Sequence, residues 1–228
     1  MAAFLEARAA AIPGIELDVH CCRSGELVVV HDSNLKRVTG YDTEVEELEL
    51  RELRTLDAGS WFDPRFRGER IPLLSELFDA LGDSVYYDIE IKIERGAPEP
   101  IAASLTGLIR ERRLGHRCII SSFNPLAIRA ARRLAPEVPV AIIYSNDPEV
   151  PWFLRHGEGR YPSRCQILKP DGRKVTPWGM FLNQRILGYP VIAWTVDDPQ
   201  RAAKLLRRGA SGIISNDPAP LLALPPYA

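Results

Sequence analysis

Two hydrophobic periods alternate along the chain. Ile15-Glu16-Leu17-Asp18-Val19 places apolar and acidic residues by turns, the period-two pattern of a strand. The Ala-rich stretch before it, 2–11, reads as a helix stopped by Pro13-Gly14. Ser24-Gly25 marks a turn, and Leu27-Val28-Val29-Val30 is a second β-rich run. Residues 33–70 are polar and mixed, with Val45, Leu48, Leu50, Leu53 and Leu56 at broadly helical spacing across 44–56. An amphipathic helix is predicted over 73–81. Strands at 85–93, 118–120, 138–144, 166–168, 191–196 and 212–214 then alternate with helices at 100–113, 125–134, 177–187 and 199–208. The stretch 147–163 carries Pro, Trp and Gly and follows neither period.

Strands alternating with helices of about ten residues mean βα units and a parallel sheet, an α/β chain. The alternation fits an α/β barrel better than an open sheet, and no Gly-rich fingerprint follows the first strand, which weighs against a dinucleotide-binding doubly wound fold. Core strands fall near residues 17, 89, 119, 141, 167, 193 and 213, whereas a TIM barrel has eight. Either the 27–30 run completes the set or one N-terminal strand is absent. No break separates two such series, so one domain over 1–228 is expected.

At 228 residues the chain can bury a sizeable core without a disulfide or metal staple. Its net charge of -1, with 24 Arg against 5 Lys scattered along the sequence, gives no basic footprint for nucleic acid. No apolar run reaches the length of about 18 residues that spans a bilayer, so stable membrane insertion is not expected. The N-terminus shows no basic segment followed by an apolar one, and the expected compartment is the cytoplasm. Cys21, Cys22, Cys118 and Cys165 form neither a disulfide framework nor a zinc-type spacing and read as reduced thiols.

Glu16 and Asp18 are two apart on a strand and share a face, and Glu90 and Lys92 repeat the arrangement on another. Carboxylates converging at the C-terminal ends of barrel strands repel one another unless a cation lies between them. Hard divalent ions such as Mg²⁺ or Ca²⁺ prefer such oxygen donors. The bland alternative is that Glu16 and Asp18 are solvated or paired with Arg. His31-Asp32 directly follows the 27–30 run, and a histidine suits proton transfer near neutral pH. His20 falls on the Glu16–Asp18 face if the strand extends that far. His116 and His156 have no motif around them.

Together these residues resemble the glycerophosphodiester phosphodiesterase family. The resemblance is carried by Gly14-Ile15-Glu16-Leu17-Asp18-Val19-His20 and then Gly25-Glu26-Leu27-Val28-Val29-Val30-His31-Asp32. Leu35-Lys36-Arg37-Val38-Thr39-Gly40 follows, then the run from Glu52 to Phe62, Ile71-Pro72-Leu73-Leu74 and Ile89-Glu90-Ile91-Lys92. Ser121-Ser122-Phe123-Asn124-Pro125, Trp194-Thr195-Val196-Asp197 and the run from Gly212 to Pro218 complete the series in order. The resemblance implies a TIM barrel of the phosphodiesterase type that hydrolyses small glycerophosphodiesters to glycerol 3-phosphate and an alcohol. It makes residues 27 to about 70 a small insertion beside the barrel mouth. It assigns a divalent cation, Mg²⁺ or Ca²⁺, to Glu16, Asp18 and Glu90, a catalytic role to His31, and the substrate phosphate to Lys92. Phe123 and Trp194 would flank the apolar face of the glycerol, where barrel packing is the other reading.

The family pattern begins with a strand ending His-Arg-Gly and a Pro-Glu-Asn-Thr-like segment, and neither is present in this sequence. The expectation is a barrel short of its first strand, of a second catalytic histidine, of a phosphate arginine and of a further acidic ligand. Two alternatives follow: a phosphoester-binding pseudoenzyme, or a sphingomyelinase D-like phospholipase that releases a cyclic phosphate.

Overall fold

The computed structural model describes residues 1–93, 96–148 and 150–224, which form two compact units, Met1–Ile119 and Ile120–Ala228. In the first unit, α1 (Ala2–Ala9) leads through Pro13 into β1 (Gly14–Cys21). β1 is flanked by β2 (Leu27–Val29) on one side and, further along the chain, by β3 (Tyr86–Ile91) on the other. β1 and β3 run parallel, with Leu17 opposite Ile89 and Asp18 opposite Glu90. β2 runs antiparallel to β1. The 27–30 run is therefore a hairpin partner of the first strand and not a further parallel strand.

Between β2 and β3 the chain forms short turns of helix: α2 (Lys36–Thr39), a 3₁₀ turn at Val45–Glu47, α3 (Leu50–Leu53) and a 3₁₀ turn at Pro64–Phe66. They close over a small apolar cluster of Val28, Leu35, Val38, Val45, Leu48, Leu53 and Ile71. The helical spacing over 44–56 does not produce one helix. Leu48 and Glu49 are extended, and a reciprocal cap between Glu49 and Glu52 starts a new helix at Leu50. Val45, Leu48 and Leu53 thus reach the same cluster from separate segments and not from one helix.

α4 (Leu74–Leu81) buries Leu74, Leu77, Phe78 and Leu81, the i, i+3, i+4, i+7 stripe of an amphipathic helix. Phe78 meets Tyr87 of β3 edge to face, ring centroids 5.0 Å apart, and so locks the helix to the sheet. α5 (Glu99–Glu111), with Pro100 in its first turn, buries Ile101, Ala102, Leu105 and Ile109.

β4 (Cys118–Ser122) carries the chain into the second unit. There β4, β5 (Val140–Tyr144) and β6 (Ile167–Pro170) pair in parallel, with Ile142 opposite both Ser122 and Leu168. α6 (Pro125–Leu134) joins β4 to β5 and is capped by Asn124, whose side chain accepts from the Leu126 N–H at 2.9 Å. The stretch without a predicted period forms a 3₁₀ turn at Trp152–Leu154 and α7 (Arg160–Ser163). The predicted helix at 177–187 is α8 (Pro177–Met180), continued by the π-helical segment Phe181–Ile186. The predicted strand at 191–196 shrinks to β7 (Ile192–Ala193), paired in parallel with β8 (Gly212–Ile213), with isolated bridges from Val191 to Leu168 of β6 and from Trp194 to Asp171 just after it. Pro170, ending β6, has no N–H to donate, so this ladder cannot run continuously. α9 (Pro199–Arg207), capped by Asp198, lies between β7 and β8 in sequence.

Candidate active site

Both faces of β1 are covered. Ile15, Leu17 and Val19 fill one face, and Glu16, Asp18 and His20 share the other. The register with β3 then does what no local pattern can. It sets Glu90 directly beside Asp18 across a gap of 72 residues, with Lys92 two residues further on. One oxygen from each of Glu16, Asp18 and Glu90 lies within 4.8 Å of the others. Two oxygens bound to one Mg²⁺ or Ca²⁺ at about 2.1–2.4 Å stand at most about 4.2–4.8 Å apart, so the set suits a single hard cation.

Lys92 answers part of this negative charge. Its ammonium Nζ lies 2.7 Å from Glu90 Oε1 and 3.1 Å from Asp18 Oδ1. Burial opposes its charge, but the Glu90 and Asp18 carboxylates outweigh that and lift its pKa above the ordinary lysine value.

His31 is tied to this cluster through the backbone. The Val30 N–H donates to the Asp18 carbonyl at 3.1 Å. The fully buried His20 places Nε2 3.4 Å from the His31 carbonyl oxygen. Burial lowers the His20 pKa, which keeps the ring neutral and suited to donate that single N–H. The His31 ring itself is exposed, and its Nδ1 lies 2.8 Å from Asp32 Oδ1. Glu16, Asp18, Glu90, Lys92 and the His31 backbone therefore come together in the first unit.

Phe123 and Trp194 belong to the second unit, where their half-buried rings meet edge to face at 5.7 Å. The Trp194 indole N–H donates to the Lys169 carbonyl at 2.9 Å. Lys169 was not singled out in the sequence. It is 1% exposed, and its ammonium donates to Ser121 Oγ at 2.9 Å. A lysine inside the apolar run Ile167-Leu168 was the available signal, because lysine is almost never fully buried unless paired. Arg37, which grips Asp32, gave no signal beyond its place in the motif. All four cysteines are free thiols, and among the described residues no helix is long and apolar enough to cross a membrane.

Known proteins are similar to this chain over almost its whole length. A glycerophosphodiester phosphodiesterase of Caldanaerobacter subterraneus subsp. tengcongensis is 33% identical over 235 residues, covering 98% of this chain and 90% of the relative. The structure of an Oleispira antarctica phosphodiesterase in complex with the product sn-glycerol-3-phosphate aligns with a TM-score of 0.86 at 27% identity, covering 98% of this chain and 89% of that one. A glycerophosphodiester phosphodiesterase of Agrobacterium tumefaciens shares the fold, with a TM-score of 0.78 at 24% identity over 97% of this chain and 91% of that one. The fold class expected from the sequence, an α/β chain of the TIM-barrel phosphodiesterase type, is the class of these structures. The model of the Glycerophosphoryl diester phosphodiesterase family matches residues 1–219, and the chain belongs to that family.

Proposed function

We propose that this chain hydrolyses glycerophosphodiesters to sn-glycerol 3-phosphate and an alcohol, using Mg²⁺ or Ca²⁺ held by Glu16, Asp18 and Glu90. The observation that carries this reading is the convergence of those three carboxylates within 4.8 Å, with Lys92 against two of them, in a chain of this family. The relative that shares a third of the sequence bears the name of this activity, and the Oleispira antarctica structure holds its product.

When bound, the ion supplies positive charge against the phosphate oxygens and lowers the pKa of an oxygen nucleophile. Lys92 has three N–H donors, of which Glu90 and Asp18 engage two, and a third serves a phosphate oxygen. His31, with Nδ1 directed at Asp32, exchanges its proton at Nε2 with the nucleophile or the leaving alkoxide. Phe123 and Trp194 are assigned to the apolar face of the glycerol. The 1–228 chain acts as one phosphodiesterase domain with residues 27 to about 70 as an insertion, and we assign it to the cytoplasm, where four free thiols persist.

The test is a coupled assay for glycerol 3-phosphate released from glycerophosphocholine with Mg²⁺ or Ca²⁺, run beside an EDTA control and Glu90→Gln. Release that EDTA and Glu90→Gln both abolish is the expected result. A folded protein that binds the cation without turnover is a pseudoenzyme and overturns the proposal. A cyclic phosphate released from long-chain lipids would replace the substrate class.

A further inference from the structure

The insertion does more than carry His31. Its side chains form a series of contacts ending on the imidazole. His31 Nδ1 lies 2.8 Å from Asp32 Oδ1. Arg37 forks onto the same carboxylate, Nε to Oδ2 at 2.5 Å and Nη2 to Oδ1 at 3.0 Å. The guanidinium lies over Trp61, its Cζ 4.8 Å from the ring centroid. The indole is held in turn, because its Nε1–H donates to the Ala58 carbonyl at 2.9 Å and the Phe62 ring meets it at 5.8 Å. The turn beneath is closed by Asp57, which accepts from the backbone N–H groups of Gly59, Ser60 and Gly68 at 2.9–3.0 Å.

Each link in this series is directional. A bidentate fork fixes the plane of the carboxylate, which a point charge does not. The aromatic face holds the plane of the guanidinium. The Arg37 hydrogen bonds, set against partial burial and helped by His31, lower the Asp32 pKa to about 2, so the carboxylate only accepts. His31 Nδ1 must then be the N–H donor, which leaves the lone pair of the neutral ring on Nε2. The His31 side chain is 69% exposed, so packing does not hold it in place.

We infer that Arg37 and Trp61 are positioning residues: they fix Asp32, and through it the Nδ1–H tautomer and orientation of His31. This rests on the acid–base role proposed for His31, and the test separates the two. In the full chain, ¹⁵N shifts of the His31 ring are recorded for wild type, Arg37→Gln, Arg37→Lys, Trp61→Phe and Trp61→Ala, alongside kcat and KM for glycerophosphocholine. In Arg37→Gln the ring nitrogens are expected to move to averaged, mixed-tautomer shifts. Its kcat is expected to fall about 10–100-fold with KM within about twofold, the usual scale for losing a supporting partner. Arg37→Lys is expected to restore part of kcat and Trp61→Phe most of it, whereas Trp61→Ala follows Arg37→Gln. If Arg37→Gln does not fold, Arg37→Lys and Trp61→Ala carry the comparison. Unchanged ¹⁵N shifts and unchanged kcat in folded variants overturn the inference. A wild type without turnover overturns the proposed function, and the ring shifts then decide the positioning claim by themselves.

Discussion

Lys92→Met should weaken the fold and at the same time make it more responsive to divalent cations. The ammonium lies 2.7 Å and 3.1 Å from two carboxylates, and its side chain is 19% exposed against 7% and 12% for theirs. With an effective dielectric of about 20, each contact is worth about 5–6 kcal/mol of direct attraction. Desolvation of all three groups offsets most of it, and removing one partner of such a buried pair typically costs about 3–5 kcal/mol. Because Lys92 retains some exposure, the lower value of about 3 kcal/mol is expected, a Tm loss of about 6–12 °C in a chain of this size. The assay is thermal unfolding followed by circular dichroism in EDTA, then with added Mg²⁺ or Ca²⁺. Methionine leaves three carboxylates without their ammonium, so the cation-induced rise in Tm should be larger in the variant than in wild type. The raised pKa of Lys92 adds a pH signature. Its stabilisation is complete at neutral pH and fades only as pH climbs past the ordinary lysine value of about 10.4. Equal stability in EDTA, or equal cation-induced shifts in the two proteins, would refute the reasoning.

Three other perturbations separate the roles of neighbouring groups. His31→Ala should lower kcat by about 10²–10⁴-fold while leaving the cation-induced Tm rise unchanged, because the role proposed for the ring is to exchange a proton and not to hold the ion; stopped coupled assays and melts check both halves. Asp32→Asn should cost about 1–2 kcal/mol at pH 7 by urea unfolding, since the native carboxyl titrates at about 2. A lowered carboxyl pKa stabilises above the unfolded value, so the gap should close as pH falls from about 4 towards 2, and a gap that persists at pH 2 would contradict the pairing. Leu77→Ala, at a fully buried position of α4, should cost about 2–5 kcal/mol in urea unfolding with KM unaltered, because it opens a cavity under a helix that carries none of the three carboxylates.

The order and type of most elements were legible in the sequence. Period-two alternation marks β1, the stripe of Leu74, Leu77, Phe78 and Leu81 marks α4, and Pro125 and Pro199 open the predicted helices that become α6 and α9. Glu16 with Asp18, and Glu90 with Lys92, were readable as pairs because a strand puts every second residue on one face. These signals are local, and a chain carries them whatever it packs against. Only the tertiary structure decided what lies beyond that range. The β1–β3 register, set by hydrogen bonds between segments about 70 residues apart, chose Glu90 as the neighbour of Asp18 and brought Lys92 onto both. Antiparallel pairing with β1 turned the 27–30 run into a hairpin, a choice that an apolar run leaves open. The small cluster around Leu35 and Val45 divided an apparently helical stretch into separate turns. Arg37 and Trp61 meet across 24 residues of short helical turns and loops, and the contact of Arg37 with Asp32 and Trp61 has no periodic signature, because it depends on where two turns come to rest against each other.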